Sequence, residues 1–109
     1  MMPVIIDNAR LAEIVKRLAV AYTPERIYLF GSHARGDADA DSDYDLMVIV
    51  ADDAPVERRR SRLAYDVLWG TGTAADVLVS TRHGFESRLH LPASLPATVA
   101  REGKLVYAA

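Results

Sequence analysis

The 109-residue chain contains no cysteine. This absence excludes disulfide bonds, zinc sites built on thiolates and a cysteine nucleophile. Any metal ion must therefore be bound by carboxylate or imidazole groups, and the sequence has 15 acidic residues but only 3 histidines. The composition thus favours a site built on carboxylate oxygens.

The sequence also lacks a long apolar stretch and a marked excess of basic residues. No segment approaches the roughly 20 apolar residues that a membrane-spanning helix needs, and Met1 to Asp7 has neither a basic start nor a cleavage site. With a formal net charge of -2, the chain has no overall field that would attract nucleic acid. We therefore expect a cytoplasmic protein that neither enters a membrane nor binds nucleic acid directly.

Length and apolar content set the scale of the fold. Half of the 109 residues are hydrophobic, which is enough for one core but not for two. We therefore expect residues 1–109 to form a single domain.

Hydrophobic periodicity predicts a mixture of helices and strands. A first helix, capped by Asp7, has its apolar residues at the spacing of one buried stripe as far as Tyr22. Strands are predicted at 26–30, 46–50, 75–79 and 104–107, a second helix from about Pro55 to Trp69, and short helices after Thr81 and over 97–102. The consecutive apolar residues at 46–50 are typical of a strand covered on both faces. This order predicts an α+β fold with a small mixed sheet and helices packed on one side.

The segment between the first two strands contains two closely spaced aspartates. Asp43 and Asp45 stand at the start of the second strand. Because side chains alternate along a strand, both project to one side while Tyr44 points away. Repulsion between two such carboxylates raises their pKa values, and a bound divalent cation removes that cost. Hard oxygen ligands of this kind favour Mg2+ or Mn2+.

A third aspartate, Asp76, lies at the start of the third predicted strand. If that strand pairs with the second, its carboxylate approaches those of Asp43 and Asp45. Three carboxylates can hold two metal ions, an arrangement that serves in-line phosphoryl displacement. Asp76 could also accept the proton of an attacking hydroxyl. We therefore predict Asp43, Asp45 and Asp76 as catalytic and metal-binding residues.

The Gly31-Ser32 turn suits a phosphate-binding role. Gly31 permits a sharp turn and a close approach to a ligand, Ser32 adds a hydroxyl, and the following amides face outward if 32–35 forms a helical turn. Arg35 either adds positive charge near a triphosphate or pairs with a neighbouring aspartate, Asp37 or Asp39. The predicted nucleotide-binding residues are Gly31, Ser32, Arg35 and Ser42.

Two other phosphate or metal motifs fail on inspection. The alternating aspartates from Asp37 to Asp45 suggest an EF-hand loop, but Ser42 and Val48 stand where that loop needs Gly and Glu. A P-loop is excluded because Asp37-Ala38 occupies the place of its Lys and Ser or Thr.

The second predicted helix carries two features without an assigned function. The basic run Arg58 to Arg62 is most simply a solvated helix face, with docking to a partner or contact with phosphate as the alternative. Tyr65 and Trp69 fit packing in the core or at its edge better than stacking on a base.

Together these residues resemble the polymerase-β-like nucleotidyltransferase superfamily. The similarity lies in Gly31-Ser32, ten intervening residues, Asp43-x-Asp45 and an isolated strand aspartate about thirty residues further on. Two motifs, Gly-Ser-x-Ala-Arg-Gly at 31–36 and Ser-Asp-x-Asp-Leu at 42–46, resemble those of the minimal nucleotidyltransferase branch. Its members are the MntA-type antitoxins that are paired with HEPN-domain toxins.

The resemblance implies the fold and the chemistry of that superfamily. It implies ATP as nucleotide donor, two Mg2+ ions with Mn2+ as a substitute, triphosphate contact by Ser32, metal binding by Asp43 and Asp45, and a ligand or base role for Asp76. It further implies transfer of AMP to a tyrosine of a HEPN toxin that forms a complex with this chain. Two alternatives remain open: transfer to a small hydroxylated molecule such as an aminoglycoside, and a non-catalytic antitoxin that blocks its partner by binding.

Overall fold

The computed structural model describes residues 8–39 and 41–109 of the chain. In chain order the elements are α1 (Ala9–Tyr22), β1 (Arg26–Phe30), α2 (Ser32–Arg35), β2 (Tyr44–Val50), a 3-10 helix (Val56–Arg59), α3 (Arg62–Leu68), β3 (Ala75–Thr81), α4 (Arg82–Glu86), α5 (Leu95–Glu102) and β4 (Lys104–Ala108). None of the described helices combines the length and the apolar character that a bilayer crossing requires.

The four strands form one mixed sheet in the order β3-β2-β1-β4. β1 runs antiparallel to both β2 and β4, whereas β2 and β3 are parallel. All five residues from Leu46 to Val50 are buried, as expected for an inner strand covered on both faces. The predicted α+β class and small mixed sheet are therefore confirmed.

Helices cover both faces of the sheet, whereas the sequence suggested one. Leu46, Val48 and Val50 pack in a core cluster with residues of α1 and α3. Met47 and Ile49 point to the opposite face and pack with Phe85 of α4 and Val99 of α5. The reason is topological: β3 and β4 are the two outer strands, so the chain that connects them crosses the sheet and covers its second apolar face.

Helix α1 confirms the predicted buried stripe but starts one residue later than expected. Asn8 is its N-cap, and the Asn8 side chain accepts the backbone N–H groups of Arg10 at 2.9 Å and Leu11 at 3.2 Å. This bonding satisfies two N–H groups that the helix itself leaves unpaired. Asp7, the predicted cap, lies outside the described residues.

The prediction of one helix from about Pro55 to Trp69 is wrong. A 3-10 helix occupies Val56–Arg59, Arg60 is extended with φ -117° and ψ 144°, and α3 begins only at Arg62. Val56, at the start of the 3-10 helix, is 43% exposed. The interruption therefore separates the basic run into two parts.

The buried phenol of Tyr22 explains this interruption. Its hydroxyl donates to the backbone carbonyl of Arg60 and accepts the backbone N–H of Ala64 at 2.9 Å. A continuous helix would pair those backbone groups internally, so the hydroxyl of Tyr22 takes the place of helical hydrogen bonds. Burial raises the pKa of Tyr22, which keeps the phenol neutral and able to donate.

Candidate active site

The sheet brings two of the predicted aspartates side by side. The register of the parallel pair places Asp45 of β2 opposite Asp76 of β3, and Asp45 is also opposite Phe30 of β1. Neighbouring strands lie about 4.8 Å apart, and residues in register point to the same face. Asp45 and Asp76 are therefore adjacent on one face, at the amino ends of both strands.

Asp43 completes an acidic cluster with these two residues. It directly precedes β2, is exposed, and lines the same cleft as Asp76. The pKa of Asp45 is raised, first by partial burial and then by the negative charges of Asp76 and Asp43. Asp45 thus experiences both other carboxylates, and we call Asp43, Asp45 and Asp76 the acidic cluster.

The acidic cluster is not a closed ligand set. Within the described ranges, no three carboxylate, imidazole or thiolate groups stand close enough to form a ready-made metal site. Asp43 and Asp76 are exposed, so their side chains can change rotamer rapidly. Three carboxylates are donors that Mg2+ and Mn2+ prefer, and a divalent ion would offset the repulsion that separates them. The donor set therefore fits a divalent metal.

Gly31 holds the predicted phosphate-binding turn against Asp45. Its backbone angles, φ 72° and ψ -153°, belong to a region that is essentially restricted to glycine. A Cβ at this position would lie 2.3 Å from Oδ2 of Asp45. Ser32 follows as the first residue of α2, the predicted helical turn, so the Gly31-Ser32 turn and the acidic cluster are neighbours.

Arg35 adopts one of its two predicted arrangements. Its Nε lies 3.2 Å from Oδ2 of Asp37, and both side chains are at least half exposed. The pKa of Asp45 is raised by burial and by the other carboxylates, and proximity to His33 and Arg35 offsets part of that increase. Because an exposed ion pair contributes only about 0–1 kcal/mol, Arg35 can exchange Asp37 for a phosphate at little cost.

Ser42 lies in the loop before β2. Its hydroxyl donates to Oδ1 of Asp39 at 3.1 Å and accepts the backbone N–H of Asp39 at 3.0 Å. It lines a cleft of about 660 Å³ with His33 and Tyr44, while Asp43 and Asp76 line another. The structure thus places Ser42 beside a different cleft from these two members of the acidic cluster.

His33 is a positioning residue that the sequence reasoning missed. Its ring stacks on Tyr44 with 4.0 Å between ring centres, and Nε2 lies 2.9 Å from the carbonyl oxygen of Ser42. Because a carbonyl only accepts, Nε2 carries the hydrogen in this contact. His33 thereby ties α2 to the residues on both sides of Asp43. Its place between the Gly-Ser turn and the aspartates was the only signal in the sequence.

The expectation that Tyr65 and Trp69 pack in the core or at its edge is wrong. Their side chains are 77% and 85% exposed, and both line a cleft of about 470 Å³ together with Asp43 and Asp76. Helix α3 is only seven residues long. Its inner side is occupied by the buried Ala64 and by the partly buried Leu63, Val67 and Leu68. Tyr65 is left on the outer side, and Trp69 stands just beyond the last helical residue.

The chain belongs to the nucleotidyltransferase domain family, whose sequence profile matches residues 9–105. A chain from the crystal structure of a toxin–antitoxin complex with AMP-PNP is 25% identical, with a TM-score of 0.58 over 89% of this chain and 73% of that chain. The resemblance to minimal nucleotidyltransferases is therefore confirmed at the level of family and fold. A search of curated protein sequences finds no significant match.

Two further solved structures share the fold. A candidate nucleotidyltransferase from Sulfolobus solfataricus is 24% identical, with a TM-score of 0.59 over 91% of this chain and 78% of that chain. A chain from the complex of the tri-AMPylated Shewanella oneidensis HEPN toxin with MNT antitoxin is 21% identical. Its TM-score is 0.55, over 92% of this chain and 71% of that chain. At these identities the similarity concerns the fold alone.

Proposed function

We propose that residues 1–109 form one Mg2+-dependent nucleotidyltransferase domain that transfers AMP from ATP to a tyrosine hydroxyl of a HEPN-domain toxin in the cytoplasm. The observation that carries this proposal is the register of Asp45 with Asp76, directly beside the Gly31 turn. Membership of the nucleotidyltransferase family supports nucleotidyl transfer. The likeness to a chain of a toxin–antitoxin complex with AMP-PNP supports a toxin partner and ATP as donor.

The residues divide into a phosphate side and an acceptor side. Gly31 and Ser32 lie on the β1 side of Asp45, and Asp76 lies on the β3 side. On the phosphate side, the backbone amides after Gly31 and the Ser32 hydroxyl bind the triphosphate, and Arg35 adds positive charge. The acidic cluster would hold divalent ions, which when bound stabilise negative charge on the phosphate oxygens.

The proposed reaction is an in-line displacement at the α-phosphorus. A bond forms between the tyrosine oxygen and the α-phosphorus, the bond from that phosphorus to the bridging oxygen breaks, and pyrophosphate leaves with the electron pair. A tyrosine hydroxyl has a pKa of about 10, so it needs a base at neutral pH. Asp76, on the acceptor side, accepts its proton.

A labelling assay tests this proposal. The chain is incubated with Mg2+, ATP labelled at the α-phosphate and the purified protein encoded beside it. The assay is repeated with Asp43→Asn, Asp45→Asn and Asp76→Asn, and with Asp53→Asn as the matched control. Asp53 is an exposed aspartate beyond the opposite end of β2. Label should reach the partner with the wild-type and control chains only.

Two outcomes would favour the alternatives. Neutralisation of the partner without label, unaffected by the three substitutions, would indicate an antitoxin that acts by binding alone. Label on an added aminoglycoside instead of the protein would indicate a small-molecule acceptor.

A further inference from the structure

Two large aromatic side chains, Tyr65 of α3 and Trp69 directly after it, are exposed in a cleft that Asp43 and Asp76 also line. Tyr65 is 77% exposed and Trp69 is 85% exposed. Arg62, which is also exposed, and Tyr65 are three residues apart on one side of α3, and Trp69 follows the end of that helix. We call Arg62, Tyr65 and Trp69 the α3 stripe.

The basic run next to this stripe, Arg58 to Arg62, forms no ion pair within the described parts of the chain. Four arginines fall among the five residues 58–62, and all four are exposed. In those parts, none of them forms a salt bridge, whereas Arg17, Arg35, Arg82 and Arg101 each do. On a chain with a net charge of -2, this is a local positive patch that complements an acidic surface.

The position of the α3 stripe matches the acceptor side of the reaction. The cleft lined by Tyr65 and Trp69 also contains Asp76 and follows β3, which is an outer strand of the sheet. Gly31 lies on the other side of Asp45. Asp45 and Asp76 point to the sheet face that α4 and α5 cover, and α3 packs on the other face. The two meet at the β3 edge, where Asp76, Tyr65 and Trp69 line one cleft. With the triphosphate at Gly31, this cleft is the acceptor side that adjoins the α3 stripe.

We propose that the α3 stripe, with the adjoining basic run, docks an acidic segment of the acceptor protein and so delivers its hydroxyl to Asp76. Trp, Tyr and Arg are the residues most enriched among the hot spots of protein interfaces. Unpaired arginines select a partner surface that carries carboxylates. This inference rests on the proposed function for the identity of the partner.

Trp69 allows a direct test because it is the only tryptophan in the chain. Labelling with 5-fluorotryptophan gives a single fluorine NMR resonance from this chain. Addition of the unlabelled protein encoded beside it should shift or broaden that resonance, both without nucleotide and in the presence of saturating Mg2+ and ATP. A resonance that the partner leaves unchanged, or that a single-stranded oligonucleotide shifts instead, would overturn the inference.

Substitutions test the same surface through affinity. Trp69→Ala and Arg62→Glu should each raise the Kd for the partner about tenfold or more and leave the Kd for ATP unchanged. Arg88→Glu is the matched control: Arg88 is exposed and forms no salt bridge within the described ranges. It follows α4, which begins at the carboxyl end of β3, whereas the acidic cluster lies at the amino ends of β2 and β3. An unchanged partner Kd in both stripe variants would overturn the inference.

These affinities are measured without ATP, so the two proposals fail separately. If the wild-type chain binds the partner through the stripe but transfers no label, the docking surface stands and the proposed function fails. If label is transferred while stripe variants bind normally, the function stands and the docking surface fails.

Discussion

The two ends of β2 carry similar acidic residues in opposite electrostatic surroundings. At the carboxyl end, Asp52 accepts the backbone N–H of His83 at 2.7 Å, and Arg82 lies 3.6 Å from Asp52 and 3.2 Å from Glu25. At the amino end, Asp45 lies opposite Asp76 and is subject to the negative charges of Asp76 and Asp43. Among the described residues, no basic side chain forms a salt bridge with any member of the acidic cluster.

This difference separates structural carboxylates from candidate catalytic ones. At the carboxyl end, the protein supplies its own positive charge and a helix N-terminus, so the carboxylate stabilises the fold. At the amino end, burial and like charges raise the pKa of Asp45, so the ionised cluster lowers the stability of the fold. Perturbed groups of this kind are typical of functional sites.

The largest expected effect is on the transfer reaction. Asp45→Asn should lower the rate of label transfer at least about 100-fold, because removal of a group that stabilises transition-state charge has consequences of this size. Asp52→Asn should retain the wild-type rate, since that end of β2 has no part in the chemistry. Single-turnover assays compare the two variants. Equal losses of transfer rate in Asp45→Asn and Asp52→Asn would contradict the division into catalytic and structural carboxylates.

The next effect concerns the fit of Gly31 against Asp45. Gly31→Ala should lower the free energy of unfolding by about 2–3 kcal/mol or more, because it combines backbone strain with a clash. Gly36 is the matched control, with φ 84° and open space around its Cβ position. Gly36→Ala should cost only about 1 kcal/mol. Urea unfolding measures both, and equal costs would mean that the turn is not held against the carboxylate.

At the carboxyl end of β2, substitution of Asp52 should change the free energy of unfolding. Asp52→Ala leaves the His83 N–H without its acceptor and should lower the free energy of unfolding by about 1 kcal/mol. Asp53→Ala, at the exposed neighbouring residue, serves as control and should change little. Thermal unfolding measures the stability of both variants. Equal stabilities of Asp52→Ala and Asp53→Ala would refute the structural role of Asp52.

The smallest expected effect is an increase in the free energy of unfolding, whereas the two preceding predictions are decreases. Asp45→Asn should raise the free energy of unfolding at neutral pH without Mg2+ by about 0.2–1 kcal/mol, since it removes a like charge placed directly across a strand pair. A carboxylate whose pKa is raised on folding loses stability as pH increases from its ordinary value of 3.8 to the raised one. The extra stability of Asp45→Asn over the wild-type chain should therefore increase as the pH rises between these two pKa values and disappear below pH 3.8. Urea unfolding at several pH values checks this, and a variant that is less stable at neutral pH would contradict it.

Part of this organisation was predictable from local pattern. The run Leu46 to Val50 indicated an inner strand because it is apolar at consecutive positions, and Asp43-x-Asp45 indicated a shared side because strands alternate. The Gly31-Ser32 turn was identified because glycine and serine suit a turn near phosphate. The proximity of Asp76 was only conditional in the sequence, because strand register depends on contacts distant along the chain.

The rest depended on tertiary contacts that no local pattern encodes. The interruption at Arg60 arises from the hydroxyl of Tyr22, 38 residues away along the chain. Arginine itself favours helices, so local propensity predicted the wrong structure there. Trp69 is exposed because it stands just beyond the last residue of α3, whose inner side is occupied by Ala64 and other apolar residues. The helices on the second sheet face depended on which strands lie at the edges.

Metal titration tests the central claim most directly. Calorimetry with Mn2+ and a non-hydrolysable ATP analogue should detect binding to the wild-type chain that is weakened at least about tenfold by Asp43→Asn, Asp45→Asn or Asp76→Asn and unchanged by Asp53→Asn. Indistinguishable binding by the wild-type chain and all three cluster variants would contradict the account.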